Sequence, residues 1–412
     1  MEAFYYDNQT LYCEGVKLAD IAGQFDTPAY VYSQAQIAQN FDMLDRAFGD
    51  IPHLICFSLK ANSNLSIGRI AAGLGAGADI VSGGELFKAL KMGIDPQRIV
   101  YASVGKLPAE IEYALKAHIL MFNVESRAEL ETINHVAGNV GLRAPIALRI
   151  NPNIDPKTHP YITTGMTKYK FGIPVEEALQ LYSYVQDLPN VEAKGIQMHI
   201  GSQLVAVHPI VEAATKVVEL TLQLKRDGID LQYVNIGGGL GIRYEDENPE
   251  GPETLAEHIV PLVRETGCTL VMEPGRFIVG NAGALLTRVI YTKRNPAKKF
   301  VIVDAAMNDL IRPSLYDAYH PILSVAEVNE LEKVDVVGPI CESGDFFAHD
   351  RELAKFEAGD LMLIQCAGAY GFSMSSNYNS RLRAAEVLVS GDACRLVRRR
   401  EGYEDLVRGE EL

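Results

Sequence analysis

The segment Tyr233-Val-Asn-Ile-Gly-Gly-Gly-Leu-Gly241 leads from a short apolar run into a glycine-rich turn. In doubly wound sheets that bind dinucleotides, the turn after a strand reads G-x-G-x-x-G. In this chain Ile242 stands where the last glycine would fall, so that fingerprint is incomplete. The segment therefore favours the other common parallel architecture, a barrel in which the loop after a late strand binds phosphate.

This apolar run is the seventh of eight that recur between about residues 53 and 275, with helical patterns between them. Each run is apolar or nearly so throughout, which is typical of parallel strands buried on both faces. Eight strands alternating with helices over about 250 residues predict an α/β fold built on a (β/α)₈ TIM-type barrel. The predicted strands are His53–Phe57, Ala78–Val81, Arg98–Ala102, Ile119–Val124, Ile146–Ile150, Gly195–Ile200, Tyr233–Ile236 and Thr269–Met272.

Helix start signals follow several of these strands. Ser82 with Glu85, and Ser126 with Glu129, have the spacing of a capping box, in which the two side chains satisfy backbone N–H groups at the helix start. A further helix is predicted to start at Ser33 and to bury an apolar face. The long polar stretch Asn151–Lys170 after the fifth strand is predicted to be a mobile lid.

From about residue 282 the pattern changes to strands joined by turns and irregular loops, which predicts a C-terminal β-sandwich or β-barrel domain. The first 30 residues are also strand-like and are expected to join this domain. We therefore predict a barrel domain at 31–280 and a β domain formed by 1–30 and 281–412. The predicted C-terminal strands are Leu285–Tyr291, Phe300–Asp304, Val334–Val337, Asp360–Cys366 and Ala385–Val389.

Composition excludes several classes of function. The 412 residues contain 38 Lys plus Arg and 53 Asp plus Glu, a net charge of −15, which disfavours nucleic acid and anionic membrane surfaces as partners. No apolar stretch reaches about 18 residues, and the N-terminal residues do not resemble a signal peptide. The six cysteines form no C-x-x-C pair, so we expect no metal site and a reducing, cytoplasmic location.

Four groups of reactive or polar residues fall where the predicted barrel strands end, which is where barrel enzymes place their active sites. Lys60 could form a Schiff base, and His199 could stack on a ring or move protons, although Lys60 taken alone could be a surface lysine and His199 a hydrogen-bonded core histidine. Gly237–Gly241 offers backbone N–H groups to an anion. Glu273-Pro-Gly-Arg276 adds a carboxylate and an arginine. This combination predicts a pyridoxal 5'-phosphate site, because that cofactor needs a lysine, an acidic partner and phosphate donors.

The C-terminal part carries three further candidate segments, each of which could also be an ordinary loop. Arg312-Pro-Ser-Leu-Tyr316 sets an arginine and a tyrosine four residues apart. Cys341-Glu-Ser-Gly-Asp345 sets a thiol beside carboxylates, and Gly368-Ala-Tyr-Gly371 holds a tyrosine between glycines.

With these segments the whole chain resembles the diaminopimelate decarboxylases, which are pyridoxal phosphate enzymes related to the alanine racemase-like decarboxylases. The resemblance implies decarboxylation of meso-2,6-diaminopimelate to L-lysine and CO₂. The segments that carry it are Ser58–Asn62, Gly77–Glu85, His199–Ser202, Gly237–Gly241, Glu273–Arg276, Met307–Tyr316, Cys341–Asp345 and Gly368–Gly371.

The resemblance also implies a role for each residue of the cofactor site. Lys60 would carry the cofactor, with Asp79 in the same site. His199 would stack on the ring, and Glu273 would bind the ring nitrogen. The residues implied to bind the phosphate are Ser202, Gly238, Gly239, Gly275 and Arg276.

On the substrate side, the resemblance implies an active site shared across a homodimer. Cys341 would donate a proton and Glu342 would recognise the distal amino group, both reaching the site from the neighbouring subunit. The residues implied to bind the amino-acid substrate, including its distal carboxylate, are Arg276, Arg312, Tyr316 and Tyr370, the last of which also touches the cofactor.

Other readings remain open from the sequence. The same fold could decarboxylate ornithine, arginine or a carrier-bound amino acid. The chain could also be a non-catalytic homologue that binds pyridoxal phosphate or a partner protein, or a barrel protein without pyridoxal phosphate. The segment Arg381-Leu-Arg-Ala384 lacks two prolines that relatives often carry, and Gly83 replaces a frequent arginine. Because these positions carry no chemistry, the expected activity does not change.

Overall fold

The computed structural model describes residues 3–155, 158–166 and 168–411. They form two compact units. The sheet unit contains the chain up to Gln39, Arg243–Glu247 and the chain from Ile278 onwards, and the barrel unit contains Asn40–Ile242 and Asn248–Phe277. The domain boundaries at 30/31 and 280/281 stay a prediction.

The sheet unit begins with a small antiparallel sheet that does not belong to its main sheet. Strands β1 (Phe4–Asp7), β2 (Thr10–Cys13) and β3 (Val16–Lys17) form this sheet, and α1 (Leu18–Phe25) follows. Strand β4 (Ala29–Ser33) pairs instead within the main sheet described below. The strand-like N-terminal residues therefore divide between two sheets of the same unit.

The barrel is closed by eight parallel strands, as predicted. The hydrogen-bonded order is β5-β6-β7-β8-β9-β11-β12-β13, and β13 returns to β5 with Val271 opposite Leu54. Apolar residues of these strands, among them Met121 and Ala147, form a buried cluster. The strands are β5 (His53–Ser58), β6 (Gly77–Ile80), β7 (Ile99–Tyr101), β8 (Met121–Val124), β9 (Ala144–Asn151), β10 (Ile173–Pro174, an addition to β9), β11 (Val191–Met198), β12 (Tyr233–Asn235) and β13 (Thr269–Met272).

Helices alternate with these strands. The predicted starts at Ser33, Ser82 and Ser126 are confirmed, because each serine hydroxyl accepts a backbone N–H three residues later. The expected capping boxes are altered, since Glu85 and Glu129 accept the N–H of the residue before the cap. The helices are α2 (Gln34–Ala47), α3 (Leu65–Gly73), α4 (Gly83–Met92), α5 (Pro108–Lys116), α6 (Arg127–Val140), α7 (Val175–Gln186), α8 (His208–Arg226), α9 (Pro252–Thr266) and α10 (Arg276–Val279), with 3₁₀ turns at Pro96–Arg98 and Pro160–Ile162.

The main sheet of the sheet unit is organised around its longest strand, β14, which pairs with β4, β15 and β19. Its buried face packs into one core with residues of β2 and α1, including Leu11 and Ile21. The remaining elements are β14 (Gly283–Arg294), β15 (Lys299–Val303), α11 (Arg312–Tyr316), β16 (Ile322–Ser324), β17 (Leu331–Val337), β18 (Phe346–Ala354), β19 (Leu361–Ile364), β20 (Ala385–Ser390), β21 (Ala393–Arg398) and α12 (Tyr403–Leu406), with 3₁₀ turns at Phe372–Met374 and Tyr378–Ser380.

The stretch predicted to be a lid is partly tied to the end of β11. Thr163 forms an isolated bridge with Gly201, and the N–H groups of Thr164 and Gly165 both donate to the carbonyl of Ile200. Positions 156, 157 and 167 of the predicted lid lie outside the described residues, and its motion stays a prediction. In the part of the chain described here, no helix combines the length and apolar character needed to cross a membrane.

Candidate active site

The nine candidate residues of the barrel unit come from the carboxyl ends of five strands or from the loops that follow them. Because parallel strands present these ends at one rim of a barrel, the residues share the rim where barrel enzymes place their chemistry. These residues are Lys60, Asp79, His199, Ser202, Gly238, Gly239, Glu273, Gly275 and Arg276.

The amine of Lys60 is held by a buried carboxylate. Its Nζ lies 2.7 Å from Oδ2 of Asp79, and the hydroxyl of Ser58 donates to the same oxygen over 2.6 Å. Asp79 is fully buried in β6, and its other oxygen, Oδ1, has no hydrogen-bond partner among the described residues. A buried carboxylate needs such partners, so Ser58 and Lys60 together stabilise its charge at this rim.

Glu273 is held by three side-chain amides from three different strands. Oε1 accepts from Asn123 Nδ2 over 2.9 Å and from Asn235 Nδ2 over 2.6 Å, and Oε2 accepts from Gln197 Nε2 over 3.3 Å. Sequence reasoning missed all three amides. Their signal in the sequence was weak, because Asn123 and Asn235 are single polar residues in short apolar strands and Gln197 lies in a strand that carries other polar residues.

The pKa of the Glu273 carboxyl is raised to about 7, chiefly by burial and also by the charge of Asp79. The charge of Lys60 and the hydrogen bond from Asn235 act in the opposite direction. A carboxyl with this pKa gains strongly from a neighbouring cation, because the cation would favour its charged form. Glu273 is therefore suited to hold a protonated ring nitrogen.

His199 is held as a neutral ring. The N–H of Gly238 donates to its Nδ1 over 3.3 Å, so Nδ1 is the acceptor and the proton resides on Nε2. Burial, with the charges of Arg149 and Lys60, lowers the pKa of His199 well below its usual range. An uncharged imidazole can stack against an aromatic ring without placing a second cation beside a protonated nitrogen.

A buried ion pair, which sequence reasoning did not identify, holds the backbone next to this ring. Arg149 donates to the carbonyl of His199 over 3.3 Å, and its Nη1 lies 2.6 Å from Oε1 of Glu125. The other oxygen of Glu125 accepts the N–H of Gly172, just beyond the predicted lid. The pair thus joins the strand end that carries His199 to the end of the loop that follows β9.

The glycines of the rim are required by close packing. A Cβ at Gly238 would lie 2.3 Å from the carbonyl oxygen of Glu273, and one at Gly275 would lie 2.9 Å from Cβ of Ala61. Gly239 has a φ of +122°, which side-chain-bearing residues rarely adopt. Beside them, Arg276 Nη2 donates to Ser202 Oγ over 3.2 Å. These loops combine backbone amides, a hydroxyl and a guanidinium, which are donors that suit a phosphate.

The residues of the rim fit pyridoxal phosphate. The fit rests on the buried Glu273 with its raised pKa, a lysine amine on the same rim and glycine loops beside Arg276. No cluster of His, Cys, Asp or Glu that could hold a metal ion occurs among the described residues.

In the sheet unit, Arg312 and Tyr316 lie on the short helix α11, with Arg312 buried and Tyr316 half-buried. Arg312 Nη1 lies 3.0 Å from Nε2 of His320, and its guanidinium lies 4.9 Å from the centre of the Tyr244 ring. Sequence reasoning identified neither His320 nor Tyr244 as a partner of this arginine.

Cys341 and Glu342 are exposed in the loop after β17. The N–H of Cys341 donates to Asn379 Oδ1 over 3.2 Å, and the hydroxyl of Tyr378 donates to Glu342 Oε2 over 2.8 Å. The hydroxyl of Ser314 in α11 donates to the carbonyl of Gly344, so this loop is attached to the helix that carries Arg312.

Tyr370 lies in the loop after β19, half-buried and with a φ of +57°. Few side-chain-bearing residues adopt this conformation, and it recurs at sites where the surrounding structure imposes a geometry. The backbone of Tyr370 is therefore held in a strained conformation within the sheet unit.

Comparison with known proteins connects both units to one group of enzymes. A family model described as "pyridoxal-dependent decarboxylase, pyridoxal binding domain" matches residues 34–280. The diaminopimelate decarboxylase of Aquifex aeolicus is 51% identical over 405 residues, covering 98% of this chain and 96% of that protein. The crystal structure of diaminopimelate decarboxylase from Helicobacter pylori complexed with L-lysine superimposes with a TM-score of 0.92 at 46% identity, covering 95% and 98% of the two chains. The enzyme from M. jannaschii in co-complex with L-lysine superimposes with a TM-score of 0.95 at 40% identity, covering 100% and 98%.

Proposed function

Because this chain belongs to the diaminopimelate decarboxylase family of pyridoxal-dependent decarboxylases, we propose that it converts meso-2,6-diaminopimelate to L-lysine and CO₂. It is a carboxy-lyase with pyridoxal 5'-phosphate as cofactor, acting in the last step of lysine biosynthesis. Two solved relatives hold L-lysine, which is the product of this reaction. The observation that carries the proposal is the placement of Lys60 and the amide-bound Glu273 on one barrel rim.

Pyridoxal phosphate, when bound, withdraws electrons from the carbon that loses CO₂. Glu273 supports this chemistry by holding the protonated ring nitrogen, since its buried carboxylate is stabilised by that charge. Lys60 carries the cofactor through its amine, and Asp79 orients that amine from its fixed position in β6. The neutral ring of His199 would stack on the cofactor.

The loops beyond the strands bind the phosphate. Backbone amides act as donors where no Cβ blocks an approaching anion, and the guanidinium of Arg276 balances the negative charge. Ser202 adds a hydroxyl next to Arg276. The phosphate-binding residues are Ser202, Gly238, Gly239, Gly275 and Arg276.

Specificity for diaminopimelate requires a site for the end of the substrate that does not react. Arg276, Arg312 and Tyr316 bind the substrate, including this distal carboxylate, and Glu342 binds the distal amino group. Tyr370 contacts cofactor and substrate. Arg312 is suited to this task because it is a buried guanidinium, and a substrate lacking the carboxylate would lose a charge-assisted contact with it.

Cys341 and Glu342 complete the active site of a second copy of the chain, so the functional form is a homodimer with shared sites. Both side chains are exposed in the single chain, although one is a proton donor and the other a recognition group. Cys341 would supply the proton that the substrate carbon needs after loss of CO₂. The protein acts in the cytoplasm, where its free thiols stay reduced.

The test is a substrate panel measured with the purified protein and added pyridoxal phosphate. We expect CO₂ release from meso-diaminopimelate with lysine as product, and rates at least about 10³-fold lower from ornithine and arginine. The variant Lys60→Ala is the negative control. Preferential release of CO₂ from ornithine or arginine would overturn the assignment of the substrate.

A further inference from the structure

A fully buried histidine touches the arginine assigned to the distal carboxylate. His320 places Nε2 3.0 Å from Arg312 Nη1, while its Nδ1 lies 2.8 Å from the carbonyl oxygen of Gln365. A guanidinium can only donate and a carbonyl can only accept. The ring must therefore carry its proton on Nδ1 and present the lone pair of Nε2 to Arg312.

The backbone around His320 is fixed at the carbonyl of Pro321 and at its own carbonyl. It lies just before β16, which pairs with β19 in a register that places Ile322 opposite Ile364. The pairing continues outward, because the N–H of Gln365 donates to the carbonyl of Pro321 over 2.8 Å. Arg351 donates to the carbonyl of His320 over 2.6 Å. The position of the ring thus follows from the strand register.

A second uncharged group faces the same guanidinium. The ring of Tyr244 meets that of His320 edge to face at 5.5 Å, and its centre lies 4.9 Å from the Arg312 guanidinium. A carboxylate in the place of either ring would hold Arg312 equally firmly, but it would neutralise the charge that a substrate carboxylate needs. A neutral imidazole acceptor and an aromatic face orient the cation without themselves neutralising its charge.

We propose that His320 is a positioning residue for substrate specificity: as a neutral Nδ1–H ring it orients Arg312 toward the distal carboxylate of the substrate. This inference rests on the proposed function, which assigns that carboxylate to Arg312. His320 does not touch the reacting atoms. Its loss should therefore weaken binding of the substrate and leave the chemical step and the cofactor intact.

Two amide variants distinguish the role of Nε2 as a hydrogen-bond acceptor from the space that the His320 ring fills. In His320→Gln, an amide oxygen can reach the position of Nε2 and accept from Arg312. In His320→Asn, the shorter side chain can still donate to Gln365, but it cannot reach Arg312. His349→Gln is the matched control, because this half-exposed histidine of β18 pairs with Asp335 instead.

We expect His320→Asn to raise KM for meso-diaminopimelate about tenfold, with kcat within about twofold of the wild type. The inhibition constant of L-lysine, which retains the distal carboxylate, should rise in parallel. His320→Gln should stay within about threefold in KM, and His349→Gln should match the wild type. Equal KM values for the Asn and Gln variants, or a fall in kcat alone, would overturn the inference.

Crystal structures of the two variant holoenzymes provide a readout that does not depend on turnover. The Arg312 guanidinium should leave the face of Tyr244 in His320→Asn and keep it in His320→Gln. An unmoved Arg312 in both structures would contradict the inference whatever the substrate. A wild-type enzyme that forms no lysine from meso-diaminopimelate would instead refute the proposed function, and the Arg312 positions would still decide the role of His320.

Discussion

The side-chain amide of Asn235 donates a hydrogen bond over 2.6 Å to Oε1 of Glu273, the same oxygen that accepts from Asn123. The two oxygens of this carboxyl therefore differ in their hydrogen bonds. Oε1 accepts two, whereas Oε2 accepts one longer bond, from Gln197, among the described contacts. This arrangement fixes the carboxyl group by strands β8, β11 and β12. It orients Glu273 before any ligand binds.

Replacing Glu273 with Gln should lower kcat by about 10²-fold or more, because a neutral amide does not stabilise a protonated ring nitrogen. The fold should survive. The amide oxygen of the variant can accept from Asn123 and Asn235, and its NH₂ group can face Gln197 Oε1, which has no partner among the described residues. Cofactor trapped on Lys60 by borohydride reduction measures retention, and Glu131→Gln is the surface control. A kcat within about threefold of the wild type would contradict the role of Glu273.

Replacing Arg312 with Ala should lower kcat/KM for meso-diaminopimelate by about 10² to 10⁴-fold, because a buried charge-assisted contact to the distal carboxylate is lost. Cofactor binding, followed by its visible absorbance, should not change. Arg294→Ala, which removes an exposed ion pair with Glu332, is the matched control and should stay within about twofold. An unchanged kcat/KM in Arg312→Ala would exclude this residue from substrate binding.

The stability of the fold should fall between about pH 4 and pH 7 through one buried carboxyl. Asp309 accepts the N–H of Ala306, and its other oxygen has no partner in the described chain. Burial raises the pKa of Asp309 to about 7. The folded state therefore binds a proton that the unfolded state has already lost, so this contribution is full below the unfolded pKa and is lost as the pH rises through 7.

Asp309→Asn removes this pH dependence because the amide stays neutral. Between pH 5.5 and pH 8, the free energy of unfolding of the wild type should fall by about 2 kcal/mol relative to the variant. Urea unfolding at fixed protein and cofactor concentration measures the difference. Asp42→Asn, at a half-exposed position of α2, is the control, and its difference from the wild type should be the same at both pH values. A similarly constant difference for Asp309→Asn would show that Asp309 does not titrate in this range.

A shared active site predicts complementation between two inactive variants. Lys60→Ala and Cys341→Ala, given different tags and co-purified as hybrid dimers, should recover about half the activity of a wild-type dimer. One site of each hybrid then combines an intact Lys60 from one chain with an intact Cys341 from the other. Hybrids no more active than their parents would place both residues in a site formed within one chain.

The barrel was predictable from the sequence because strands buried on both faces leave uninterrupted apolar runs. The strands that were missed lack this signal. β18 carries Asp350, Arg351 and Glu352 in its exposed half, β21 is largely exposed, and β16 spans only three residues. The sequence pattern also could not predict that β2 and β4 belong to different sheets, because the two strands have similar local sequences and differ only in the strands they pair with.

The candidate site was predictable where a residue type at a strand end indicates a chemical role, as Lys60 and Glu273 do. The residues that form hydrogen bonds with them were not predictable. Asn123 and Asn235 look like ordinary interruptions of apolar strands, and His320 lies 45 residues from the carbonyl that sets its tautomer. Such partners become visible only when the fold brings distant segments together.

The most direct test uses meso-diaminopimelate with ¹³C in both of its carboxylates. Mass spectrometry of the released CO₂ and of the amino-acid product then shows where each label goes. We predict one labelled CO₂ for each substrate consumed, with the second label retained in L-lysine, because one end reacts at Lys60 while Arg312 holds the other. Release of both labels, or no release from the cofactor-loaded enzyme, would contradict the account.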